Sequence, residues 1–370
     1  MSVPSALVGP GFSTYHPEDV AWLLSDLSAL PLEGDVTMRE VEIQAGRRHY
    51  SETLPIEYAP SAAYLDAYRH ALASQSLTVA VAIRVLAEAI LATRGPQVVL
   101  VSLARAGVPI GILLRRWLLR RGVDGRHFAL SIIRDRGIDR LALDAILQEV
   151  DAAHVQFVDG WTGKGVIADT LTNAIEAYVT ARPAAARLSS DLAVLSDPIG
   201  VAALSATGRD LLIPSALLNA TVSGLVSRTV LNDQFVGPGM FHGAKFYREL
   251  IAEDRSREFI DTIVSRFDEA DRVDPATLLG DDAPKVTTAT LPLLMDRLGV
   301  DDPHRLKPGI GETTRMLLRR VPERVFVDPL RADDLQHVRV LAEMRGVPTT
   351  IDTRLPWACV GVVARRGGGA

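Results

Sequence analysis

The chain has 370 residues, 48% of them hydrophobic and 23% charged, a net charge of −5 and a single cysteine, Cys359. That length predicts two or three domains with sizeable cores, and the charge argues against a whole-protein electrostatic grip on nucleic acid while leaving room for a local basic face. One cysteine excludes an internal disulfide framework and a cysteine-based metal site.

In chain order, residues 1–95 read as a helical N-terminal region. "PEDVAWLLSDLS" has apolar residues at helical spacing after Pro17, and "SAAYLDAYRHALASQSLTVAVAIRVLAEAILATRG" predicts two helices between an N-cap at Ser61 and a stop at Gly95. "RRHYSETLPIEYAPS" between these segments is unperiodic. No signal peptide and no run of roughly 18 uninterrupted apolar residues is visible, so a cytoplasmic protein without a membrane segment is expected.

From Gln97 the rhythm changes. "QVVLVSL", "HFALSII", "HVQFVDG", "DLAVLSD" and "DLLIP" predict short strands, and the helical segments between them predict an α/β fold with a parallel-sheet core over residues 96–280. A boundary is expected at "LLGDDAPKV", with a small C-terminal α/β domain over 286–366 and a frayed "RRGGGA" tail. In a parallel sheet, ligands sit beyond the carboxyl ends of the strands. One such end is Asp159, followed by "GWTGKG" and a helix, the outline of an anion site. It is neither a G-x-x-x-x-G-K-[ST] loop nor G-x-G-x-x-G.

"VQFVDGWTGKG" resembles the phosphoribosyltransferase signature, with the usual pair of adjacent acids reduced to Asp159-Gly160. The resemblance implies that Thr162, Gly163, Lys164 and Gly165 hold a phosphate, and that Asp159 serves ribose hydroxyls and a magnesium ion. It also implies that Ser102, Arg105, Ala106 and Gly107 take a pyrophosphate, while Arg134 and Arg136 close from a mobile catalytic loop, "RDRGID". His242 and Lys245, beside "GPG", are candidates for closing over the sugar or base. "LLNATVSGLVSRTVL", with Asn219, Thr221, Ser223, Ser227 and Arg228, either lines a site or is a close-packed helix start.

Longer stretches, "YHPEDVAWLL", "RHYSETLPIEYAPS", "VSLARAGVPIGILLRR", "LNATVSGLVSRTVLN" and "GPGMFHGAKFYREL", resemble a bacterial phosphoribosyltransferase-like family also labelled cysteine protease StiP. That family is found in stress and tellurium-resistance settings and carries a C-terminal Pelota-type RNA-binding domain. Through "LKPGIGETTRMLLRR" the resemblance implies structured-RNA contact by Lys307, Gly309, Gly311, Thr313 and Arg315. The expected function is transfer from phosphoribosyl pyrophosphate or action on a nucleotide. A non-catalytic nucleotide sensor that presents an RNA-binding domain stays open, as does a homo-oligomer. A thiol protease needs an activated cysteine. Cys359 lies in the apolar run "LPWACVGVVAR", and Leu217 stands where the resemblance implies a cysteine, so cysteine proteolysis is not expected.

Overall fold

The computed structural model describes residues 4–34, 42–43, 47–280, 286 and 289–365. Residues 281–285 of the expected linker and the terminal "GGGA" lie outside the described residues.

The N-terminal region supplies strand β1 (Ala21–Leu23) and helix α1 (Ala62–Arg94). The core follows as β2 (Val99–Ala104), α2 (Val108–Arg120), β3 (Arg126–Ile133), β4 (Gly137–Ile138) and α3 (Arg140–Leu147), then β5 (Val155–Trp161), α4 (Val166–Ala181), β6 (Leu192–Ser196), β7 (Leu204–Thr207) and α5 (Ser256–Val264). The C-terminal domain holds α6 (Thr290–Leu298), β8 (Leu306–Pro308), α7 (Ile310–Arg319), β9 (Pro322–Val327), α8 (Gln336–Met344), β10 (Thr349–Ile351) and β11 (Cys359–Val363).

The large sheet runs β1-β3-β2-β5-β6-β7, parallel throughout, with β4 folded back antiparallel on β3. Its strands are apolar on both faces because both are covered. Leu100, Ala129, Val158 and Leu195 pack with α1 and α2, while Val101, Leu130, Phe157 and Val194 pack with α3 and α4.

The expected helical N-terminal region does not stand apart. "AWL" is a strand because the open edge beside β3 offers parallel pairing, which outweighs a short helical pattern. The two helices expected before Gly95 are one 33-residue helix, capped where Ser61 Oγ accepts from the Tyr64 N–H at 3.3 Å. By length and composition alone α1 could cross a membrane, yet half of its most apolar window is buried in the protein, with Tyr68, Val79, Ile83 and Ile90 in the core. "DLLIP" is not a strand; the sheet edge is β7.

The C-terminal sheet runs β8-β11-β9-β10, antiparallel except for the β9–β10 pair. One face packs on α6 through Leu306, Phe326, Val360 and Val362. The other face, with Met316, Leu317, Val325 and Val338, belongs to the same hydrophobic cluster as α1 and the large sheet. The two domains therefore share a continuous core.

Candidate functional site

The turn after β2 approaches β5 very closely. A Cβ on Gly107 would lie 2.4 Å from the Val158 carbonyl oxygen, so only glycine fits there. Beyond these strand ends lies a cavity of about 150 Å³ whose lining comes from both domains. The large sheet and its loops contribute Arg105, Asp159, Trp161 and Ile132; the segment after β7 contributes Ser215, Asn219, Ser223 and Arg228; α7 contributes Arg315 and Arg319.

Four guanidinium groups thus face a cavity with one carboxylate. Arg105 Nη1 donates to the Val226 carbonyl at 2.9 Å, and its nearest acid is Glu57 at 3.9 Å. Arg228 donates to the Tyr50 and Thr53 carbonyls at 2.6 and 2.7 Å. Arg319 Nε donates to Asn219 Oδ1 at 2.7 Å. Arg315 stacks on Trp161, 4.3 Å from its ring centre, with Glu312 at 3.9 Å. Burial pushes Arg319 well below the usual arginine range, and the positive charges of Arg105 and Arg315 push it further. Burial raises Asp159 to about 6, against the opposing pull of Arg315 and of the Gly160 N–H that donates to it at 2.8 Å.

Of the expected phosphate-loop residues, Thr162 turns its hydroxyl to Asp197 at 2.6 Å, and its N–H bonds the Ser196 carbonyl at 3.0 Å. Gly163 abuts Glu312: a Cβ there would come 2.7 Å from Glu312 Cγ. Lys164 donates to the Pro303 carbonyl at 2.5 Å, and Gly165 takes the left-handed conformation that starts α4. Asp159 alone reaches the cavity from this strand-loop segment together with Trp161. Of the expected pyrophosphate turn, Arg105 and Ala106 line the cavity, whereas Ser102 is buried between His127 Nε2 and the Gly107 carbonyl.

The "RDRGID" segment is held rather than free. The Arg134 N–H donates to the Tyr50 hydroxyl at 2.8 Å, Arg136 pairs with Glu52 at 3.1 Å, and Asp139 caps α3. His242 bonds Ser131 at 2.8 Å, and Lys245 pairs with Glu33 and Glu249 at 3.0 and 2.9 Å, both away from the cavity. Asp159 is the single acid in the lining, and among the described residues no three His, Cys, Asp or Glu side chains cluster. The donor set does not make a resident magnesium site.

The turn expected to meet RNA faces the other domain. A Cβ on Gly311 would lie 2.2 Å from Trp161 Cε2, and one on Gly309 would lie 3.2 Å from Asp210 Oδ1. Asp210 accepts from the Ile310 and Ala358 N–H groups at 3.1 and 3.0 Å. Thr313 is buried on the Lys307 carbonyl, and Arg315 enters the cavity. Residues 309–315, expected to contact RNA, therefore lie at the interdomain contact. Arg319, Trp161 and Ser215 went unassigned to this cavity in the sequence; the i, i+4 spacing of Arg315 and Arg319 signals a shared face, but not what that face meets.

This geometry defines a two-domain α/β protein with a cationic pocket built across the domain seam. A family model described as "Tellurite-like stress resistance cysteine protease StiP" matches residues 13–264, and one described as "PELOTA RNA binding domain" matches residues 285–365. A protein of Acinetobacter baylyi named "Cysteine protease StiP" is 32% identical over 375 residues, covering 97% of this chain and 96% of the relative. The chain belongs to the StiP family.

These matches overturn the expected phosphoribosyl transfer and its nucleotide-sensor alternative. Both the family and the relative are named for a cysteine protease, a hydrolase, and neither carries a phosphoribosyltransferase description. The similar order of loops at strand ends follows from parallel α/β architecture, which serves many chemistries. In this chain the StiP-matched residues 13–264 contain no cysteine. Cys359 is fully buried in β11, and burial, with Asp210 beside it, pushes its thiol far above the usual range.

Proposed function

We propose that this chain is a cytoplasmic stress-resistance hydrolase that cuts peptide bonds in the seam pocket, and that its C-terminal domain binds RNA. The observation that carries the hydrolase reading is the meeting of Asp159, Ser215 and four arginines around one cavity. A carboxylate that titrates near 6 is suited to take a proton from a nucleophile near neutral pH. Guanidinium groups that face the cavity stabilise the oxyanion that forms when a carbonyl is attacked. The nucleophile in this chain is an oxygen, because the thiol is sealed away. Of the two lining serines, Ser223 donates its hydroxyl to the Asn219 carbonyl at 2.8 Å, which leaves Ser215 as the nucleophile. Four arginines against one acid favour a substrate with acidic side chains or a free carboxylate. The Pelota-type match supports the RNA reading.

The test is hydrolysis of fluorogenic acidic peptides by the full chain, by Ser215→Ala and by Cys359→Ser. The reading expects loss in the first variant and wild-type rates in the second. The opposite pattern, or no cleavage by the wild type, overturns it.

A further inference from the structure

We propose that the seam pocket takes the free carboxyl end of a polypeptide, with the α-carboxylate on the Arg315 guanidinium, so that residues are removed one at a time from the C-terminus of the substrate. This rests on the hydrolase reading given above and adds which bond is cut.

Helix α7 lies across the cavity. Its first turn meets the end of β5, where Gly311 packs on Trp161 and Glu312 on Gly163. Its last turn meets the segment after β7, where Arg319 Nε donates to Asn219 Oδ1 at 2.7 Å. Trp161 and Asn219 both line the cavity, so the helix spans it from one to the other. The volume of about 150 Å³ suits a guest about the size of benzene. One terminal residue fits beneath such a bar, whereas the middle of a chain needs room to continue on both sides of it. Leu103, Ile132, Ile167 and Leu218 give the lining an apolar part for a neutral terminal side chain.

The four lining guanidiniums are not equivalent. Arg105, Arg228 and Arg319 each donate to a protein oxygen. Arg315 donates to none among the described residues: its contacts are the Trp161 ring at 4.3 Å and Glu312 at 3.9 Å, the latter beyond hydrogen-bond range. Stacking on the indole fixes the plane of this half-buried group and leaves its N–H fork available. A carboxylate matches that fork with two parallel hydrogen bonds. The side chain of an internal aspartate or glutamate offers the same group but brings chain on both sides of it, which α7 excludes. In the cleavage, Ser215 Oγ attacks the carbonyl of the last peptide bond. The serine proton passes by way of Asp159 to the departing amine, and the C–N bond breaks to free one amino acid. Water then cleaves the ester, restoring the serine hydroxyl and leaving a chain one residue shorter.

The experiment gives the full chain an acidic peptide ending in alanine, once as the free acid and once as the C-terminal amide, with products read by mass spectrometry. The free acid is expected to lose alanine first, and the amide to be cut on the order of a hundredfold more slowly. In Arg315→Met that acid-to-amide ratio falls toward one, and in Arg315→Lys, which keeps the charge and loses the fork, it falls part of the way. The ratio is taken within each variant, so a smaller folded fraction does not change it. Internal cleavage, or equal rates on acid and amide in the wild type, overturns the proposal while the hydrolase reading stands. A wild-type ratio in Arg315→Met overturns the role of Arg315. No cleavage of either peptide overturns the hydrolase reading and the proposal with it.

Discussion

Gly311 sits against the indole of Trp161, so that a methyl group on its Cα would overlap the ring at 2.2 Å. This contact joins the first turn of α7 to the end of β5 and holds Arg315 over the same ring at 4.3 Å.

Gly311→Val should therefore loosen the domain seam. Overpacking typically costs about 1–3 kcal/mol, which in a chain of this size lowers Tm by several degrees. Limited proteolysis should cut between the domains sooner than in wild type. An unchanged Tm and digestion pattern would mean that Trp161 turns aside freely.

Asp210 is the second fastening. Its carboxylate accepts from Ile310 and Ala358, and burial raises its pKa to about 6. Asp210→Ala strands both N–H groups and should cost about 1–3 kcal/mol for each. The raised pKa also sets a pH dependence. The folded state holds this proton more tightly than the unfolded chain, whose value is near 3.8. The resulting stabilisation is complete below pH 3.8 and is lost as pH rises through about 6. Asp210→Asn removes that component. Urea unfolding at pH 4.5 and 7 should give a wild-type-minus-variant difference that shrinks by about 2 kcal/mol on going up.

On the proposed mechanism Asp159 would give activity its acid limb. As a base it must be ionised, so hydrolysis of acidic peptides should rise with pH through about 6. Asp159→Asn should lose most of the rate and all of that limb, with the fold retained by circular dichroism. A limb unmoved in the variant assigns it to another group.

Arg319 trades stability for binding. Arg105 and Arg315 both oppose its charge, and Asn219 is its hydrogen-bonded partner. Arg319→Met should raise Tm by a few degrees, since a half-buried charge beside like charges is replaced by an apolar chain of similar length. The same variant should raise KM for acidic peptides about tenfold, roughly 1.4 kcal/mol of lost binding. A lower Tm together with an unchanged KM would make Arg319 a structural brace.

Much of the architecture is legible in the residues. Short β-branched runs such as "VVLVSL" and "FALSII" cannot leave either face in water, and the helices between them supply the cover. The small α/β rhythm after Val286 and the Ser61 and Gly95 limits of α1 are local signals that survive folding. The "AWL" segment is not legible, because a three-residue strand is decided by the free edge beside β3 rather than by its own period.

The site divides the same way. The turn at Arg105 and the strand end at Asp159 announce themselves because glycine and small residues at a strand-to-helix junction mark close backbone approach. The sequence by itself also determined that no thiol lies within residues 13–264. Tertiary structure alone decided that Arg315 and Arg319 point at those strand ends instead of at solvent, that Thr162 turns to Asp197, and that Lys164 reaches the Pro303 carbonyl. Spacing along a helix fixes which side chains share a face, while the body that face meets depends on contacts between residues more than a hundred positions apart, which no local pattern encodes.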